Sequence, residues 1–147
     1  ILFHAAPMHD ICKITIPHSI LHKPGKLTED EFAIMKTHTT RAFKILHNSK
    51  RKYTKAAAII AHQHHEKWDG SGYPQGLKGQ DIHIYGRIVG LIDVFDALMH
   101  KRVYKEAWSL EDTLDYIRKH SSSQFDPYLV SILLEHIDEF VAISDQN

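Results

Sequence analysis

The stretch from His64 to Ile82, HHEKWDGSGYPQGLKGQDI, limits what this chain can fold into more than any other. Gly70, Gly72, Gly76 and Gly79 fall within ten residues, with Pro74 among them. No helix continues through such a run, because glycine loses the most backbone freedom on folding and proline lacks the N–H that a helix needs. The backbone must turn repeatedly there and approach its neighbours closely. His64 and His65 stand at the mouth of this loop, and paired imidazoles in such a place suit a metal site open to substrate.

The helix that delivers them is legible just upstream. Tyr53 to His65 is rich in alanine, at Ala56, Ala57, Ala58 and Ala61, and predicts a tightly packed buried helix. Thr28 to Glu31 has the form of a capping box. It starts a helix that places Phe32, Ile34, Met35, Phe43, Ile45 and Leu46 at roughly helical spacing, carries His38 and stops near Asn48. Ile84 to His100 predicts a mostly apolar helix on which Asp93 and Asp96 share a face and need partners. Ser109 and Asp126 are further N-cap residues, the second followed by Pro127, for amphipathic helices over about 110–120 and 127–141.

Residues 1–12 are apolar enough for a buried helix with His9 and Asp10 near its end. Ile16 to Leu27, with two prolines and a glycine, reads as an extended or turning connection. No alternating strand pattern stands out, so the expected fold is all-α, in one domain over 1–147. The chain opens on Ile1 inside an apolar run, which raises the expectation of a preceding helix of the same domain.

Lys plus Arg and Asp plus Glu both number 18, so the chain lacks the bulk positive field that duplex nucleic acid demands of a partner. Histidine is the outlier: 13 of them exceed what a core requires and raise the weight of metal binding. Cys12 is the only cysteine, which excludes an internal disulfide and fits a reducing, cytoplasmic setting. No apolar run approaches the roughly 20 residues of a membrane span.

Four elements bring histidine or aspartate to helix ends or into apolar helices: His9 with Asp10, His38, His64 with His65, and Asp93. Imidazole and carboxylate together suit Fe, Mn or Zn, and one carboxylate can bridge two ions. A two-metal site clamps the attacking and leaving oxygens of an in-line displacement at phosphorus, which points to phosphodiester hydrolysis. Plainer readings stand beside this one. Histidines at a helix C-terminus are favoured by the dipole alone, and His38 by itself divides between ligand and core residue. Asp93 is preferred over Asp96 as a ligand, with Asp96 as its hydrogen-bonding support. Cys12 reads as a small packing residue, His62 as structural, Lys50-Arg51-Lys52 as a solvated face, and Trp68 and Tyr73 as loop packing.

In chain order, six segments carry a family resemblance. They are His9-Asp10-Ile11-Cys12-Lys13-Ile14, Ile16-Pro17, Lys23-Pro24-Gly25-Lys26-Leu27, Met35-Lys36-Thr37-His38, His64-His65-Glu66-Lys67-Trp68-Asp69-Gly70-Ser71-Gly72-Tyr73-Pro74 and Asp93-Val94-Phe95-Asp96-Ala97-Leu98. Together they resemble the motifs of the HD-GYP domain, a branch of the HD-superfamily metal-dependent phosphohydrolases that acts as bacterial cyclic di-GMP phosphodiesterases. The resemblance implies a helical bundle with two or three divalent ions, usually iron or manganese. It implies His9, Asp10, His38, His64, His65 and Asp93 as ligands, with Asp10 as bridge and Lys13 at the scissile phosphate. Arg102 and Lys105 would be the basic pair that holds the cyclic dinucleotide. Gly72-Tyr73-Pro74 would lie on a surface loop that meets diguanylate cyclase domains, and a receiver or sensor domain would stand upstream.

The sequence departs from that pattern in three places. A further metal histidine, and in trinuclear members a glutamate, is expected on a helix before His9-Asp10, and no such helix is present here. Cys12 and Thr15 stand where glycines are usual, which would crowd the loop carrying Lys13, and Val103 stands where proline is usual. The implied activity is hydrolysis of cyclic di-GMP to pGpG and/or GMP in bacterial second-messenger signalling. The alternatives are a degenerate cyclic di-GMP sensor or cyclase-docking module, and a hydrolase of another cyclic dinucleotide.

Overall fold

The computed structural model describes residues 1–100 and 107–144, and within them the fold is all-α. The capping box forms: Thr28 accepts from the Glu31 amide at 3.2 Å, and the Glu31 carboxylate accepts from the Thr28 amide at 2.7 Å. It opens α3, Glu29–Leu46, which pairs with α4, Lys52–Gln63. Ala56, Ala57, Ala58 and Ala61 are buried on α4, so small side chains let its neighbours come close. α5, Ile84–Met99, lies against α4 through Gly86 and Gly90. A Cβ at Gly90 would fall 2.7 Å from the His64 carbonyl oxygen, and one at Gly86 2.7 Å from Gln63 Cβ. Glycine at these two points sets how near α5 lies to the end of α4.

α5 serves two cores. Val89 packs with Ala5, Ala56, Ala57 and Ile60 on one side. Leu91 and Phe95 join Leu114, Ile117, Phe125, Val130 and Leu133 on the other, where α6, Leu110–Lys119, and α7, Pro127–Glu135, complete the layer. The Arg87 guanidinium on α5 donates to Asp126, the N-cap of α7, at 2.6 Å, and ties the two halves together.

Three stretches differ from the sequence expectation. Residues 1–12 do not make one helix: α1 spans Leu2–Ala5, and 3-10 turns follow at Ala6–Met8 and Ile11–Thr15. Pro7 withholds an N–H there, and Asp10, at φ −104° and ψ 8°, leaves the helical region. The connection after Ile16 contains a short α2, His18–Leu21, between Pro17 and the turn at Gly25. The helix expected over 127–141 is two, α7 and α8, Ile137–Ser144, with His136 between them at φ −111° and ψ 25°. That break keeps Ile137 and Phe140 packed on the second core. Arg102 and Lys105 lie outside the described residues. No described helix is long and apolar enough to cross a membrane.

Candidate metal centre

The site is assembled where the turn after α1, the middle of α3, the end of α4 and the middle of α5 meet. His9 Nδ1 lies 2.7 Å from the Ala6 carbonyl, His38 Nδ1 2.7 Å from that of Met35, and His64 Nδ1 3.0 Å from that of Ile60. A carbonyl only accepts, so each Nδ1 carries the proton and each Nε2 keeps its lone pair. All three Nε2 atoms face Asp10. His9 Nε2 is 3.3 Å from Asp10 Oδ2, while His38 Nε2 and His64 Nε2 are 3.4 and 3.7 Å from Asp10 Oδ1. Asp93 enters from α5, its Oδ1 3.7 Å from His9 Nε2.

Donor atoms of Asp10, His38, His64 and His65 all lie within 4.8 Å of one another. Asp10 Oδ1, His38 Nε2 and His64 Nε2 are buried with no hydrogen-bond partner. Three lone-pair atoms converging without a donor between them fit a divalent cation, and they would be costly otherwise. Burial pushes the Asp10 carboxyl up, but contacts with His64, His9 and Lys13 outweigh it and hold the group well below the usual carboxylate range. Burial lowers His38, and burial with the neighbouring His64 and His38 takes His65 down to about 2. Burial also opposes a charge on His9, yet Asp10, the Ala6 carbonyl and Asp93 raise it above the ordinary imidazole value. His65 is therefore a neutral ligand atom at any ordinary pH, and burial favours the neutral form of His38 as well.

Lys13 reaches back to Asp10 Oδ2 at 2.5 Å. The turn that carries it accommodates both residues expected to crowd it. Cys12 is buried against Ala42 and Ala61, and Thr15 takes two hydrogen bonds from Arg41 at 2.9 Å.

The glycine loop closes over His65 instead of standing clear of the site. Tyr73 stacks on the His65 ring at 4.8 Å, and its amide donates to the His65 carbonyl at 3.2 Å. Gly72 makes this possible, since a Cβ there would fall 2.5 Å from Glu66 Cα. Glu66 fastens the rest: its buried carboxylate accepts the amides of Gln75 at 2.7 Å and Leu77 at 3.0 Å. On the far side the amides of Trp68 and Asp69 donate to the Gln124 and Ser123 carbonyls. Burial, then Asp10 and Asp93, raise the Tyr73 hydroxyl. Pro74 is exposed at the tip. Behind His64 and His65 lies a cavity of about 120 Å³ that reaches Trp68, Arg87 and Asp126.

His9, Asp10, His38, His64, His65 and Asp93 are thus brought together, with Lys13 beside them. Asp96 is not the support expected for Asp93. It lies one turn nearer the exposed end of α5 and meets His100 at 3.1 Å. His62 turns away and stacks on Phe43 at 4.3 Å. Sequence reasoning missed Glu66, and its signal was a carboxylate placed between two ligand-like histidines and a loop full of unpaired amides.

Residues 2–129 match the family described as HD domain. A 3'3'-cGAMP-specific phosphodiesterase 2 of Vibrio cholerae is 52% identical over 140 residues, which cover 95% of this chain and 27% of that protein. The cyclic di-GMP phosphodiesterase response regulator RpfG of Xanthomonas campestris is 49% identical over 88% of this chain and 34% of its own length. A cyclic di-GMP phosphodiesterase of Thermotoga maritima is also 49% identical, over 89% and 36%. The chain thus spans roughly a third, or less, of these relatives' length. A crystal structure of a cyclic GMP-AMP specific phosphodiesterase from V. cholerae superposes with a TM-score of 0.67 at 21% identity, over 99% of this chain and 41% of that one.

Proposed function

The chain belongs to the HD domain family, in its HD-GYP branch, and from that premise we propose that it is a metal-dependent phosphodiesterase that opens cyclic di-GMP to pGpG, GMP or both. The observation that carries this reading is the set of orphaned lone pairs at Asp10, His38 and His64. His9, Asp10, His38, His64, His65 and Asp93 would hold two or three divalent ions, iron or manganese by family resemblance, with Asp10 as the shared ligand. Bound there, such ions make water nucleophilic near neutral pH and offset charge on phosphoryl oxygens.

The chain's own residues supply the rest. The Nδ1 bonds of His9, His38 and His64 fix each ring, so no reorientation is needed when substrate arrives. Lys13, held by Asp10, places a cation beside the reacting phosphate and balances the charge that grows in the transition state. The stacked Tyr73 keeps water from one face of His65. Arg102 and Lys105 are proposed to orient the dinucleotide. In this reading the exposed Pro74 tip of the Gly72-Tyr73-Pro74 loop is the point where a diguanylate cyclase domain docks. A receiver or sensor domain in the same cytoplasmic protein would regulate the centre.

A second reading is hydrolysis of another cyclic dinucleotide, favoured by the 52% identical relative named as cGAMP-specific. Anaerobic incubation with Fe(II) or Mn(II) and either nucleotide, with products separated by chromatography, decides between them. Asp10→Ala and His38→Ala should lower turnover by about a hundredfold or more, with a matching loss of bound metal. Unchanged turnover at full metal content would refute the assignment.

A further inference from the structure

Lys36 stands on α3 one turn beyond Phe32, with its ammonium 5.0 Å from the Phe32 ring centre and 5.8 Å from that of Tyr73. The two rings meet edge to face at 5.9 Å, and Tyr73 is the same ring that stacks on His65. Contact therefore runs without a gap from the centre outward, through His65 and Tyr73 to Lys36. The neighbouring lysines are engaged differently: Lys13 pairs with Asp10 and Lys23 with Glu31. Among the described residues Lys36 has no such carboxylate and meets two aromatic rings instead.

Ring quadrupoles hold an ammonium in place without supplying a hydrogen-bond acceptor. The three N–H donors of Lys36 thus remain free for an anion. A cyclic dinucleotide brings two phosphodiester anions in one ring, and only one can occupy the metal centre at a time. We propose that Lys36 holds the second, uncleaved phosphate while the first lies beside Lys13, an assignment that rests on the phosphodiesterase reading above. A phosphate suits this position better than a base does. The ammonium already lies over both rings, so the subsite offers donors and charge, not a bare flat surface.

The test compares wild type, Lys36→Ala and Lys36→Arg as metal-reconstituted full chains. Alanine is the best helix former, so α3 tolerates the change. KM and kcat are measured for cyclic di-GMP and for bis(p-nitrophenyl) phosphate, which has one phosphate only. The dissociation constant for cyclic di-GMP is measured by calorimetry. Lys36→Ala should raise KM for cyclic di-GMP about tenfold, the loss expected for one charge-assisted hydrogen bond, with kcat within about twofold. Lys36→Arg should recover most of it, and KM for the single-phosphate diester should move by less than about twofold. Equal KM values for cyclic di-GMP, or the same rise for both diesters, would overturn the assignment. If wild type cleaves neither diester, the phosphodiesterase reading falls, and calorimetry still judges Lys36. Binding weakened about tenfold or more in Lys36→Ala supports the subsite, whereas equal binding by the two proteins, or none by wild type, removes it.

Discussion

Glu31 closes the capping box of α3 and takes the Lys23 ammonium at 2.6 Å. The Lys23 contact, then the Thr28 amide, lower its carboxyl below the ordinary glutamate value. A carboxyl lowered by folding stabilises the native state above its unfolded pKa, and that contribution is lost as pH falls through the folded pKa. Wild type should therefore melt above Glu31→Gln by a constant margin above about pH 5, and the margin should close as pH falls below the ordinary glutamate range. A margin that does not narrow on acidification would show that Glu31 acts by shape alone. Charge patterns of this local kind are legible in sequence, because Thr28 and Glu31 are three residues apart. The same holds for His64 and His65, adjacent in the chain. Glu66 and Lys36 were not legible as parts of the site. Their roles come from where a loop folds back and from which rings lie beneath an ammonium, and neither is encoded by spacing.

α5 carries the candidate ligand Asp93 and sets the approach of α4 through Gly90. Alanine favours helix over glycine by about 1 kcal/mol, yet at Gly90 its Cβ would press on the His64 carbonyl at 2.7 Å. Gly90→Ala should lower stability by about 1 to 3 kcal/mol and reduce metal occupancy, read by thermal unfolding and elemental analysis. A variant that is more stable and fully loaded would show that α5 can shift without disturbing His64. Periodicity and caps located α3, α4, α5 and α6 within a few residues. They failed where one residue leaves the helical region inside an apolar run, as Asp10 and His136 do. Hydrophobic spacing continues across such a break, so a pattern reading joins what the backbone separates.

Across the whole molecule, two cores share α5, and the Arg87 to Asp126 ion pair spans them with Asp126 almost wholly buried. Asp126→Ala strands the guanidinium and uncaps α7 at once, and should cost about 3 to 5 kcal/mol in thermal or urea unfolding. Asp126→Asn, which keeps the cap, should cost less, and equal losses would mean that the cap contributes nothing beside the ion pair. The all-α class was legible because no alternating segment competes with the helical ones. The bonds from Trp68 and Asp69 to Gln124 and Ser123 were not, as they join residues more than fifty positions apart. Those bonds also say something about inheritance. The last candidate ligand is Asp93, but the loop that covers His65 is fastened to a turn thirty residues later. A recombination point between Asp93 and Ser123 would carry all six candidate ligands named here into a new gene and leave behind the turn to which their covering loop is fastened. A stretch that moves the proposed centre together with the anchor of its covering loop has to run past Gln124.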